Sequence, residues 1–218
     1  MKNRGIKYVL FDFDGTLADT LPLIFKAMIH VFKNYDNKEL SNEHIVSMFG
    51  PTEEKIIRKH LVNAAQMEPA VAAFYQMYEQ EHESLVSKSN EIEQMLNRLK
   101  DLGFKLGVYT GKGRKSLDIS LKLLGLESMF DVTISGDEVK NPKPDPEGVN
   151  KALHSLGATA VESIFIGDSD ADIQAGQTAG VRTIGVQWLS TFQTHQFNVT
   201  PYRLFLHPHE LLAHLLDA

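Results

Sequence analysis

A chain of 218 residues, 43% hydrophobic and 23% charged, is long enough to bury a sizeable core, as one large domain or as a domain carrying an insertion. Its 22 basic and 28 acidic residues give a net charge of −6, which argues against nucleic acid as a partner. With no cysteine, disulfides and thiolate metal sites are excluded, and no apolar run approaches the roughly 20 residues of a membrane span. The basic start Met1–Arg4 is not expected to open a signal peptide, because Asp12 and Asp14 interrupt the apolar segment behind it. These features predict a cytoplasmic protein without a membrane partner, monomer or homodimer; Asn198-Val199-Thr200 reads as a chance glycosylation match.

Tyr8–Phe13 is a run of strand formers that ends in two carboxylates, Asp12 and Asp14, with the turn Gly15-Thr16 behind them. Side chains in an extended chain repeat with period two, so both carboxylates lean toward one pocket while Phe11 and Phe13 anchor the strand. About ninety residues then separate this strand from the next, far more than a single crossover needs. Within that interval helical patterns cover Leu21–Phe32, Ser41–Met48, Thr52–Ala65 and Glu68–Leu85, with no convincing strand. We expect a helical cap over residues 17–88, and a core of residues 1–16 and 89–218. The apolar stripe of Val71–Tyr78 reads as the packing face of the helical bundle.

Beyond the insertion, a helix begins after Asn90 and stops at Gly103, and a strand covers Phe104–Tyr109. A helix from Ser116 to Gly125, a strand over Val132–Ser135 and a helix from Pro146 to Gly157 follow. Strands Ser163–Ile166 and Thr183–Val186 come next, and Pro208 opens a terminal amphipathic helix. Short apolar strands alternating with helices predict an α/β fold, a doubly wound parallel sheet of Rossmann-like form, with ligands beyond the carboxyl ends of the strands.

Three further signals fall at those ends. Thr110-Gly111 offers a hydroxyl and a backbone amide suited to phosphoryl oxygens, although a strand-end Thr also caps helices. Asn141-Pro142-Lys143-Pro144-Asp145-Pro146 stiffens the backbone around a single lysine. Gly167-Asp168-Ser169-Asp170-Ala171-Asp172 packs three carboxylates into five residues, with Ser169 or Asp170 as a helix cap. Bringing Asp12, Asp14, Asp168 and Asp172 together calls for a cation, since two like charges 4 Å apart repel by about 4 kcal/mol at an effective dielectric near 20. Oxygen ligands without cysteine select Mg²⁺, which also takes waters and a substrate phosphate.

Two other chemistries fail on detail. Gly111-Lys112-Gly113-Arg114-Lys115-Ser116 has Ser where a dinucleotide fingerprint needs Gly, and Gly107 to Gly111 is one residue short of a P-loop. Lys112, Arg114 and Lys115 are then either solvated or at the rim of an anionic site. His207, His209 and His214 lack the spacing of a zincin pair and read as surface or interface residues, as do His60 and His82.

Taken in order, Asp12-Phe13-Asp14-Gly15-Thr16, Thr110, Lys143 and Gly167-Asp168…Asp172 resemble the haloacid dehalogenase-like hydrolase superfamily, with the helical insertion similar to the cap of its phosphoglycolate phosphatase-like branch. The resemblance implies that Asp12 is the nucleophile that forms an aspartyl-phosphate, and that Asp14 is the acid and then the base, its backbone carbonyl facing the metal. It also implies that Thr110 and the Gly111 amide hold the transferring oxygens and that Lys143 neutralises charge. Asp168 would join Asp12 and Asp14 in holding Mg²⁺, supported by Asp172 through Lys143 or a metal-bound water. Asp14 argues against carbon–halogen chemistry, and Asp14-Gly15-Thr16 and Phe49-Gly50-Pro51-Thr52-Glu53 depart from the sugar phosphomutase pattern. The expected activity is Mg²⁺-dependent hydrolysis of a small phosphorylated metabolite of the phosphoglycolate type. A pyrophosphatase, a β-phosphoglucomutase-like phosphotransferase and a catalytically silent binding protein are the alternatives. Gly50-Pro51-Thr52-Glu53 resembles a substrate loop, so Thr52 and Glu53, with Lys55 and Lys59 nearby, are expected to contact the substrate beyond its phosphoryl group.

Overall fold

Val9, Leu10 and Phe11 are fully buried and alternate between two cores. Val9 and Phe11 join the cluster that includes the inserted helices, whereas Leu10 packs with Tyr109 and Phe165 on the other face. Both faces of this strand are covered, which is why its sequence is continuously apolar. The computed structural model describes residues 5–216, so Met1–Arg4 lies outside the described residues.

The strands are β1 (Tyr8–Phe11), β2 (Lys105–Tyr109), β3 (Val132–Ile134), β4 (Ser163–Gly167), β5 (Arg182–Val186) and β6 (Arg203–Phe205). They form one parallel sheet in the order β3-β2-β1-β4-β5-β6. Phe11 pairs with Val108 on one side and Ile166 on the other, so the residues just past β1, β2 and β4 emerge at one level. The strand order reverses at this edge of β1, where such sheets bind ligands.

Four helices, α1 (Leu21–Asp36), α2 (Asn42–Ser47), α3 (Glu53–His60) and α4 (Met67–Leu85), stand between β1 and the helix α5 (Asn90–Asp101) that leads into β2. The stripe of Val71, Phe74, Tyr75 and Tyr78 is buried, as its apolar spacing predicts. The remaining helices are α6 (Arg114–Leu124), α7 (Glu147–Leu156), α8 (Asp170–Thr178) and α9 (Pro208–Leu216). No helix among the described residues is long and apolar enough to cross a membrane.

Two expectations need correction. The helix expected over Thr52–Ala65 ends at His60, because the Asp36 carboxylate accepts hydrogen bonds from the Val62 and Asn63 amides, each at 3.0 Å, and draws the chain out of helical geometry. The sheet also has a sixth strand. It is three residues long with Arg203 and Leu204 exposed, so it carries almost no burial pattern and depends on pairing with β5.

Candidate active site

Asp12 leaves the end of β1 with its amide bonded to the Ile166 carbonyl at 2.8 Å, which extends the ladder by one residue. Its side chain is buried, and Oδ1 accepts a hydrogen bond from Lys143 Nζ at 2.5 Å. The same ammonium donates to Asp172 Oδ1 at 2.6 Å and lies 5.1 Å from the centre of the Tyr109 ring. Although burial opposes a charge there, Asp12 and Asp172 hold the lysine well above its ordinary pKa.

Asp168 and Asp172 are set by the turn from β4 into α8. Ser169 caps the helix in a reciprocal box: its hydroxyl accepts from the Asp172 amide, while Asp172 accepts from the Ser169 amide at 3.0 Å. Asp172 is thereby committed to Ser169 and Lys143. Asp168 is fully buried, accepting from the Gln193 amide at 2.6 Å and facing the Thr16 hydroxyl at 3.5 Å. Gly15 has φ +79°, and a Cβ there would meet Asp168 Oδ2 at 2.2 Å, so the turn admits only glycine.

Asp12, Asp168 and Asp172 each offer an oxygen within 4.8 Å of the others. Burial, with the Asp172 and Asp14 charges adding to it against Lys143, pushes Asp12 up to about 7. Burial, with Asp12 and Asp172, holds Asp168 well above the usual carboxylate range. One lysine does not compensate three buried carboxylates, so the donor set fits a hard divalent cation.

Asp14 sits apart from that triad. Its Oδ1 accepts from the Thr20 hydroxyl and from Lys112 Nζ, the latter at 2.9 Å. Lys112 was expected to be solvated or at a rim. Its side chain is in fact wholly buried, between Asp14 and Glu53 Oε1 at 3.1 Å. Arg114 instead pairs with Glu138 and Asp118, and Lys115 covers the Tyr75 ring.

A cavity of about 230 Å³ opens over these groups, lined on the core side by Asp12, Asp14, Thr110, Gly111 and Lys143, and on the insertion side by Leu21, Ile24, Phe49, Pro51, Glu53 and Ile56. Thr52 does not line it: its hydroxyl is directed to Asp137 and its methyl lies against Gly136. Lys55 reaches the Gly136 carbonyl at 3.3 Å, and Lys59 is exposed on the insertion. Glu53 is buried, and its Oε2 accepts from the Gly113 amide at 2.7 Å.

Of the surface and interface alternatives, His82 takes the second, between the insertion and the core. It is buried on α4, 3.0 Å from Ser120 Oγ, because the adjoining face of α4 packs on α6. His207 and His209 are exposed and stack on each other, away from the carboxylates. Thr20 and Gln193, which hold Asp14 and Asp168, lie outside the motifs read from the sequence. Thr20 immediately precedes α1, six positions after Asp14, whereas no local signal marks Gln193.

Residues 9–186 match the haloacid dehalogenase-like hydrolase family. The chain belongs to that family. It is 34% identical over 188 residues to the pyrophosphatase PpaX of Bacillus velezensis, spanning 86% of each chain. With PpaX of Bacillus mycoides it shares 34% identity over 183 residues, or 84% of each. Among solved structures, CbbY from Rhodobacter sphaeroides in complex with phosphate superimposes with a TM-score of 0.84 at 23% identity, over 98% of this chain and 100% of that one. A protein described as a predicted phosphoglycolate phosphatase from Haemophilus somnus gives 0.83 at 20% identity, over 96% and 97%. At these identities the structural likeness speaks for the fold. This haloacid dehalogenase-like hydrolase is an enzyme of the phosphatase type.

Proposed function

We propose that this hydrolase cleaves a small organic monophosphate through an aspartyl-phosphate on Asp12, with Mg²⁺ bound. The observation that carries the reading is the placement of Asp12, buried at the floor of a cavity with Lys143 at 2.5 Å and Asp168 and Asp172 beside it. Asp12 and Asp168, with the Asp14 carbonyl, would hold the metal, which supplies Lewis-acid neutralisation of phosphoryl charge.

Asp12 Oδ attacks phosphorus while Lys143 offsets the charge that both partners bring. Thr110 and Gly111 border the space for the transferring oxygens. Asp14 gives its proton to the leaving alkoxide, then removes one from the water that hydrolyses the acyl phosphate. Asp172 keeps Lys143 directed at Asp12, since the ammonium bridges the two carboxylates. The inserted helices act as a cap that excludes water, and they present an apolar wall of Leu21, Ile24, Phe49, Pro51 and Ile56 to the leaving group.

Pyrophosphate is a second reading, favoured by the name of the PpaX relatives. Against it, the lysines that line the cavity, Lys143 and Lys112, are both engaged by carboxylates, so a second phosphoryl group would have to bring its own cation. Phosphate release measured over small phosphorylated metabolites and magnesium pyrophosphate, with and without a chelator, tests both. Faster turnover of pyrophosphate than of any monoester would reverse the order of the two readings. Release that persists in excess chelator would remove the metal.

A further inference from the structure

We infer that Lys112 is a positioning residue for Asp14 and that Glu53 of the inserted helices anchors it. The inference deepens the reading above and rests on it, since it needs Asp14 as the acid and base.

Lys112 follows Thr110 by two residues, between Gly111 and Gly113, and its side chain is 0% exposed. A buried ammonium costs several kcal/mol unless charged partners surround it. Here the partners come from three separate segments: Asp14 Oδ1 at 2.9 Å from the turn after β1, Glu53 Oε1 at 3.1 Å from α3, and the face of the Tyr78 ring on α4, 4.8 Å to its centre. Only the first is part of the strand-end cluster. The other two belong to the helical insertion.

Both donors to Asp14, Thr20 and Lys112, fall on the same oxygen, Oδ1. Oδ2 accepts no hydrogen bond among the described residues, and Asp14 lines the cavity. One carboxylate oxygen is therefore clamped and the other is left for the proton that moves. Thr20 alone fixes a single direction; the second donor fixes the carboxylate plane.

A lysine has a flexible four-carbon stem and does not hold a direction by itself. Glu53 provides the constraint, because its Oε2 is tied to the Gly113 amide at 2.7 Å while Oε1 meets the ammonium. Docking of α3 on the loop after β2 thus orders Lys112, and Lys112 orders Asp14. The acid is aligned when the insertion covers the site.

The test uses a series of aryl phosphates of similar size with leaving groups from 4-nitrophenol to phenol and 4-methylphenol, read as kcat/KM. This constant reports the steps up to the phosphoenzyme, in which Asp14 serves the leaving group. In Lys112→Met, kcat/KM should fall at least about tenfold for phenyl phosphate and less than about threefold for 4-nitrophenyl phosphate, whose leaving group needs little proton donation. In an Asp14→Asn background Lys112→Met should add no further selectivity, since the two act through one group. Glu53→Gln should steepen the dependence in the same direction with a smaller slope, and it carries the test if Lys112→Met does not fold. An equal loss across the series in a folded Lys112→Met protein, a selective loss that persists in Asp14→Asn, or an unchanged slope in Glu53→Gln would overturn the inference. Wild-type protein that turns over none of these esters, or Asp12→Asn that turns them over at the wild-type rate, would overturn the underlying reading and the inference with it.

Discussion

The hydroxyl of Tyr78 on α4 and that of Ser120 on α6 lie 2.8 Å apart in full burial, and His82 Nε2 reaches the same Ser120 oxygen at 3.0 Å. One small side chain of the core thus satisfies two polar groups of the insertion. Ser120→Ala would leave both without that partner, at a cost of about 1–3 kcal/mol. A lowered urea midpoint with unchanged denaturant slope is the expected result; a midpoint within error of wild type would show that the contact is not made in solution.

His82 makes stability depend on pH. Burial, assisted by the nearby Lys112 charge, pushes its imidazole down from 6.5 to about 4, so the folded protein holds it neutral where the unfolded chain takes up a proton. Its contribution is complete above about pH 6.5 and is lost progressively as the pH falls toward 4, on the order of 3 kcal/mol in all. Urea midpoints of wild type and His82→Gln, compared between about pH 7 and pH 4.5, should therefore differ less at the acid end. A constant difference would mean that His82 does not titrate as its burial requires.

Asp12→Asn should lower turnover by roughly a thousandfold or more while leaving the fold intact, because the amide matches the carboxylate in size but cannot attack phosphorus. Phosphate release and thermal melting on the same preparation, checked by mass for deamidation, decide the matter.

Asp168→Ala should raise the Mg²⁺ concentration for half-maximal rate by at least about tenfold, whereas His207→Ala and His209→Ala should leave it unchanged. Metal titrations of initial rate read this directly. Altered metal dependence in the histidine variants alone would relocate the metal site.

Gly15→Ala should impair the same metal titration without touching a ligand. The backbone at φ +79° disfavours a side chain, and the added Cβ would stand 2.2 Å from Asp168 Oδ2, so the carboxylate must move. Wild-type metal dependence in this variant would show that Asp168 does not have to stay where it is.

The strand-end groups were legible from the sequence because their placement is a local matter. Apolar runs of strand length deliver Asp12, Thr110 and Asp168 to one edge, and three prolines limit the loop that carries Lys143. The sheet follows from the same alternation of short strands and helices, and a likeness in order and spacing names the family without coordinates. What the sequence did not disclose depends on partners far along the chain. Helix α3 stops at His60 because of Asp36, twenty-six residues before the amide it captures. Strand β6 exists because β5 offers it an edge. Lys112 looks solvated among Gly, Arg and Lys neighbours, yet it is buried by Asp14, ninety-eight residues away, and by Glu53 and Tyr78 from the insertion. A charge can be taken out of water only where opposite charges and a ring face converge on it, and that convergence is a property of the docked tertiary structure, with no trace in local periodicity.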